Sequence, residues 1–250
     1  MGGHAHYLEE EGIPTTQIAL IRKHAEEIKP PRTLAVPFEL GRPLGAPNEP
    51  DFQRRVLREC LELLARESGP VLEDFPDDAP GAEPDPEGWA CPVNFAAPVE
   101  DLSDEDLIRQ ALEQEIALLR PWYEESKQNR KGRTNFGISG MTPEEIAAYI
   151  AKVTVAREDS GSPIADKPPH LAFKHMADDM RYYYMEAAIA RPDSRVSDLE
   201  IGNWLWGETT LGKVLVVIRD WAMETEHPGF KALAPTAMVP THQRHRTIHG

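Results

Sequence analysis

The sequence predicts an α/β fragment of two parallel strands followed by a mainly α-helical region. Three observations predict it. Helix-like and strand-like stretches alternate over residues 4–40. After residue 40 the strand-like stretches stop. Two helix-start signatures, Thr142-Pro143-Glu144-Glu145 and Ser197-Asp198-Leu199-Glu200, then open helical runs in the second half. Two buried strands do not stand alone as a parallel sheet, so they are expected to need neighbours on both edges.

The elements follow in order. HAHYLEEEG reads as the end of a helix stopped by Gly12. IPTTQIALI is apolar and β-branched, a buried strand. RKHAEEIK is a short helix ended by Pro30 and Pro31. RTLAVPFEL is the second strand, and Pro37 ends its ladder or puts it at an edge. GRPLGAPNEP is a loop at the carboxyl end of that strand, the side on which α/β sheets bind ligands. Asp51 to Arg66 is an amphipathic helix with Phe52, Val56, Leu57, Leu61 and Leu64 on one side.

Residues 69–101 are rich in Pro and acid and read as a long surface connector with one apolar anchor, GWACPVNF. Ser103 is expected to cap a helix running to about Leu119. Residues 169–190 place Phe173, Ala177, Met180, Tyr184 and Ala187 on one helical stripe. The Ser197 box opens a helix through Trp204 and Trp206, and an apolar helix covers about 210–226. The expected organisation is an α/β half-domain at 1–68, a connector at 69–101, a helical domain at 102–240 and a His-rich tail at 241–250.

Composition bounds the partners. Hydrophobic residues make up 40% of the 250, enough for a real core. A net charge of -15 argues against nucleic acid and anionic membranes, both of which need a basic face. No apolar run approaches the ~20 residues that span a bilayer. MGGHAHYLEEE lacks the basic and apolar regions of a signal peptide. Cys60 and Cys91 fit no zinc or CxxC spacing and are expected to be reduced thiols in a cytoplasmic protein.

HYLEEEGIPTTQIAL, then TLAVPFELGRPLG, then FQRRVLRECLELL resemble the selenoprotein B component of glycine, sarcosine, betaine and D-proline reductases, over roughly residues 3–66. The resemblance implies the carboxyl half of a split doubly wound domain. A separately encoded subunit, or a homodimer mate, would supply the missing strands. It also implies an oxidoreductase acting on a small polar, amine-type molecule. In that family a redox selenocysteine and its cysteine partner precede the helix before the GIP turn. Here the corresponding residues, Met1 to His6, hold no thiol. The redox pair is therefore expected to be absent, replaced or carried by another polypeptide, and no catalytic residue of the family carries over.

Candidates for chemistry come from the residues themselves. Cys91, followed by Pro92 and flanked by Trp89, reads either as a poised thiol, catalytic or metal-ligating, or as a small apolar anchor. Cys60, on an amphipathic helix, is expected in the core. Removal of Met1 would leave Gly2-Gly3-His4 at a free amino terminus, a set of four planar nitrogens suited to Cu(II) or Ni(II). His4 and His6 also read as metal ligands, and His6 as an acid/base group.

His175, Asp179, Tyr182 and Glu186 share a helical face, with His170 and Asp178 nearby. That face reads as half of a metal or acid/base site or, the favoured reading, as a hydrogen-bonded polar face. The tyrosine run and Trp204-Leu205-Trp206-Gly207-Glu208 read as core or subunit interface. THQRHRTIHG, with His242, His245 and His249, reads as a metal-binding or mobile tail. Gly137-Ile138-Ser139-Gly140 lacks the spacing of a nucleophile elbow and reads as a turn before Thr142. No dinucleotide fingerprint, P-loop or HExxH is present.

Three functions follow. The first is a subunit of a hetero-oligomeric reductase-like enzyme. The second is a metal-dependent (Cu, Fe or Zn) enzyme subunit using His4, His6 and Cys91. The third is a non-catalytic structural subunit.

Overall fold

Residues Gln17–Ala19 (β1), Arg32–Ala35 (β2) and Val71–Asp74 (β3) form one parallel sheet in the order β1-β2-β3. The computed structural model describes residues 2–38, 41–46, 48–79, 91, 93, 95, 98–157, 161–190 and 196–249. The chain divides into two units, Met1–Pro84 and Asp85–Gly250.

The first unit is α/β. Its helices are α1 (Gly2–Glu10), α2 (Arg22–Ile28) and α3 (Pro50–Glu62), the last extended by a 3-10 turn at Leu63–Ala65. All four residues of β2 are buried, whereas β1 is half-buried, as expected of a central and an edge strand. Residues in register on parallel strands point to the same face. Ile18 and Leu34 share one face, and with Val36, Phe38, Val71 and Phe75 they pack on Val56, Cys60 and Leu63 of α3 and the turn after it. Ala19, Ala35 and Asp74 share the opposite face, where Arg22 at the start of α2 meets Asp74 at 2.7 Å. At the amino end of β2, the buried Arg32 donates to the Arg66 carbonyl at 2.7 and 2.9 Å and to Glu9 of α1 at 2.7 Å. The Thr15 backbone N–H, with help from Arg32, holds the Glu9 carboxyl below its usual range.

Two expectations for this unit are corrected. The sheet has a third strand, drawn from the stretch expected to be connector, so the α/β unit extends past residue 68. VLED is short and acidic, and only its pairing with β2 makes it a strand. Gly69 permits that pairing. A Cβ there would sit 2.4 Å from the Pro31 carbonyl oxygen, the atom that accepts the first ladder bond from Val71 N at 2.9 Å. The second correction concerns α3. Phe52, Val56, Cys60 and Leu63 face the core, while Leu57, Leu61 and Leu64 are 43, 58 and 37% exposed. Two adjacent apolar stripes had read as a single face.

The second unit is helical: α4 (Glu105–Asn129), α5 (Pro143–Ala156), α6 (Pro169–Ala188), α7 (Asp198–Glu208), α8 (Thr210–Glu224) and α9 (Pro228–Leu233). A π-helical turn at Ala234–Met238 and a 3-10 turn at Thr241–Arg246 follow. Ile108, Leu112, Ile116, Leu119 and Tyr123 give α4 one buried face, which meets α5 and α6. The expected α6 stripe, Phe173 to Ala187, is buried throughout. Both capping boxes form: Glu145 N donates to Thr142 Oγ1 while Thr142 N donates to Glu145, and Glu200 and Ser197 repeat the exchange.

The fourth helix departs from expectation at both ends. Its cap is Asp104, whose carboxylate accepts from Asp106 N and Leu107 N, and Ser103 instead bonds Asp101. It also runs through Pro121 to Asn129, held by its buried stripe despite the missing N–H. No helix among the described residues is long and apolar enough to cross a membrane.

Candidate functional site

The helical unit buries polar and charged side chains on α4, α6 and α8. Asp179 and Glu186 lie two turns apart on one face of α6, and both are buried. Asp179 accepts from the backbone N–H of Gly137 (2.8 Å), Ile138 (3.0 Å) and Ser139 (2.9 Å) and from Ser139 Oγ (2.5 Å). Gly137, at φ +123°, lets three successive N–H groups converge on one carboxylate. Glu186 accepts from Thr134 Oγ1 (2.7 Å) and Asn135 N (2.8 Å) and pairs with Arg130 at 2.7 Å. Both carboxylates thus fasten the loop between α4 and α5. This is the hydrogen-bonded polar face, with the turn at Gly137–Gly140 as its partner.

The other members of that face do not join it. His175 Nδ1 is buried with no hydrogen-bond partner among the described residues, and Tyr182 is 42% exposed. Asp178 is held by Lys174 at 2.5 Å and by Arg181. His170 lies beside His227, whose Nδ1 caps α9 by accepting from Gly229 N and Phe230 N.

Sequence reading missed Glu115. It is buried on α4 and accepts from Tyr184 Oη at 2.8 Å and from Thr210 N, at the start of α8, at 2.7 Å. Burial raises its pKa, against the hydrogen bonds from Thr210 and Tyr184. Among the three glutamates of EDLIRQALEQEIALL, Glu115 carries no local sign that its side chain points inward. Only its place in the series 108, 112, 115, 116, 119 marks the inner face.

Cys91 packs against the helical core together with Val93 and Phe95, and Phe95 stacks on Trp204 at 5.8 Å. The apolar anchor of the connector is therefore formed by these residues. Gly88, Trp89, Ala90, Pro92 and Asn94 of the same motif lie outside the described residues. Burial pushes the Cys91 thiol up to about 11, against a hydrogen bond with the Val93 backbone and with the Glu208 charge adding to the rise. A thiol in that environment is protonated at neutral pH and is a weak nucleophile.

His4 and His6 lie on α1 and are exposed. Two residues apart, they point about 200° away from each other. His6 Nε2 donates to the Ile28 carbonyl at 3.3 Å. With Gly2 and Gly3 helical, their amides point along the helix axis and do not converge in a plane with the His4 ring. His4 and His6 belong to the first unit and Cys91 to the second. Among the described residues no group of three or more His, Cys, Asp or Glu is arranged to hold a metal ion.

The tail is docked, a correction to the expected mobile segment. Gln243 is fully buried and donates to Asn203 Oδ1 at 2.9 Å. The buried Arg219 donates to Thr247 Oγ1, Ile248 N donates to Asp220, and His249 meets Glu224 at 2.9 Å. His249 thus lies on α8, while His242 lies beside Gly202 of α7.

At the carboxyl end of the sheet, Phe38, Phe52 and Phe75 pack mutually at 5.5 to 5.7 Å, with the Arg55 guanidinium 4.9 Å from the Phe75 centroid. A Cβ on Gly45 would meet Phe52 at 2.8 Å, so the loop after β2 rests directly on this aromatic cluster. No protein-family model, curated protein or solved structure matches the chain.

Proposed function

We propose that the chain is a subunit of a hetero-oligomeric, reductase-like enzyme acting on a small polar, amine-type substrate. In this reading its α/β unit is an assembly module completed by strands of a separately encoded subunit. One observation carries the proposal: β2 is buried and paired on both sides, whereas among the described residues β1 and β3 each pair on one side only. An open parallel edge exposes a row of backbone donors and acceptors that a further strand satisfies. The reductase-like chemistry rests on the resemblance of residues 3–66.

A second reading, the non-catalytic structural subunit, is favoured by a different observation. The buried carboxylates of α6 are saturated by protein donors, and Cys91 is a burial-raised thiol.

Co-expression with the neighbouring gene, native mass spectrometry and hydrogen exchange test the proposal together. A one-to-one complex in which the β1 or β3 amides gain protection supports it. A lone chain whose edge amides do not change in any complex defeats it. Activity in the complex that survives Cys91→Ser favours the structural reading, and elemental analysis of the same complex tests the metal reading.

A further inference from the structure

α3 carries a second, solvent-facing apolar stripe formed by Leu57, Leu61 and Leu64. At 3.6 residues per turn, Leu57 and Leu61 lie about 40° apart, roughly a third of a turn from the stripe that docks on the sheet, and Leu64 follows on the 3-10 turn that extends the helix. Leu61, in the middle, is the most exposed of the three at 58%. A shallow trough runs along this strip, lined by Arg54, Leu57, Arg58, Leu61 and Glu62. The charges on its flank are ordered, with Arg54 and Arg58 towards the amino end and Glu62 towards the carboxyl end. Arg54 pairs with Asp51 at 2.7 Å, whereas Arg58 and Glu62 form no ion pair among the described residues.

We propose that two copies of this chain associate through α3 in an antiparallel, twofold-symmetric contact. A twofold axis near residue 60 or 61 sets Leu61 against Leu61 of the second copy and Leu57 against Leu64. The same axis sets Arg58 against Glu62, twice. In antiparallel helix pairs like flanks meet, so the basic half of one strip faces the acidic half of the other. One axis satisfies the leucines and the charges together. A parallel contact would oppose Arg58 to Arg58 and Glu62 to Glu62. This contact uses a helix face and leaves both sheet edges available, so it stands apart from the partner subunit proposed above.

The test is sedimentation of the full chain over a range of concentrations, with variants. The interface belongs to the small size class, so a dissociation constant on the order of 10 µM is expected. Leu61→Asp should leave the circular dichroism melt unchanged, because the side chain is exposed, and should abolish the dimer. Arg58→Glu and Glu62→Arg should each weaken it at least about tenfold by opposing like charges. The double exchange should restore it. A chain monomeric at every concentration, a dimer that tolerates Leu61→Asp, or a double exchange no better than either single change overturns the proposal.

Discussion

Glu115 on α4 and Tyr184 on α6 meet through a 2.8 Å hydrogen bond at a point where neither side chain reaches water. The other oxygen of Glu115 takes Thr210 N at 2.7 Å, so one carboxyl ties two helices to the start of a third.

Glu115→Ala should cost about 3 kcal/mol or more, because it leaves the Tyr184 hydroxyl and the Thr210 N–H buried without partners. Glu115→Gln keeps an acceptor for Thr210 and offers an amide donor to Tyr184. The folded-state pKa of Glu115 is raised from 4.5, so the fold favours its protonated form. Its contribution is complete below pH 4.5 and is lost as pH rises through the folded value. Urea unfolding at pH 4 and pH 8 should therefore show Glu115→Gln close to wild type at pH 4 and more stable than wild type at pH 8.

Asp179→Ala should destabilise the chain by about 3 kcal/mol, since three backbone N–H groups and the Ser139 hydroxyl lose their acceptor. Ser139→Ala removes one donor and should cost only about 1 kcal/mol. Denaturant midpoints give both values, and hydrogen exchange at residues 137–139 should speed up in the first variant.

With Cys60→Ser as background, Cys91 becomes the only thiol. Raising its pKa from 9.0 to about 11 lowers the thiolate fraction at pH 7.5 roughly 100-fold. Alkylation should be slow at neutral pH and still rising above pH 10. An inflection near pH 7 would reveal a poised nucleophile and revive the catalytic reading of this residue.

Gly69→Ala should detach β3. Its Cβ has no room beside the Pro31 carbonyl, and the cost should reach about 2 kcal/mol. Amide exchange at Val71 to Asp74 should accelerate while the helical unit keeps its protection.

The first β-α-β rhythm, the Thr142 and Ser197 boxes, the α6 stripe and the burial of Cys60 were legible in the sequence. Each is carried by residues a few positions apart, so its hydrogen bonds or its periodicity can be read along the chain. Val71 to Asp74 became a strand only because Pro31 to Ala35 lies beside it, about 40 residues away in sequence. Leu57, Leu61 and Leu64 read as core because a sequence shows that a residue is apolar but not which of two neighbouring stripes meets the sheet. Glu115 gave no signal in the sequence, since nothing local to it shows that Tyr184 and Thr210 converge there. The tail read as mobile because its anchors, Asn203, Arg219 and Asp220, lie on other helices. Local hydrogen bonds and helical periodicity are written in consecutive residues. Strand pairing, the choice of docking face and the partners of buried charges are set by groups that meet only once the chain has folded.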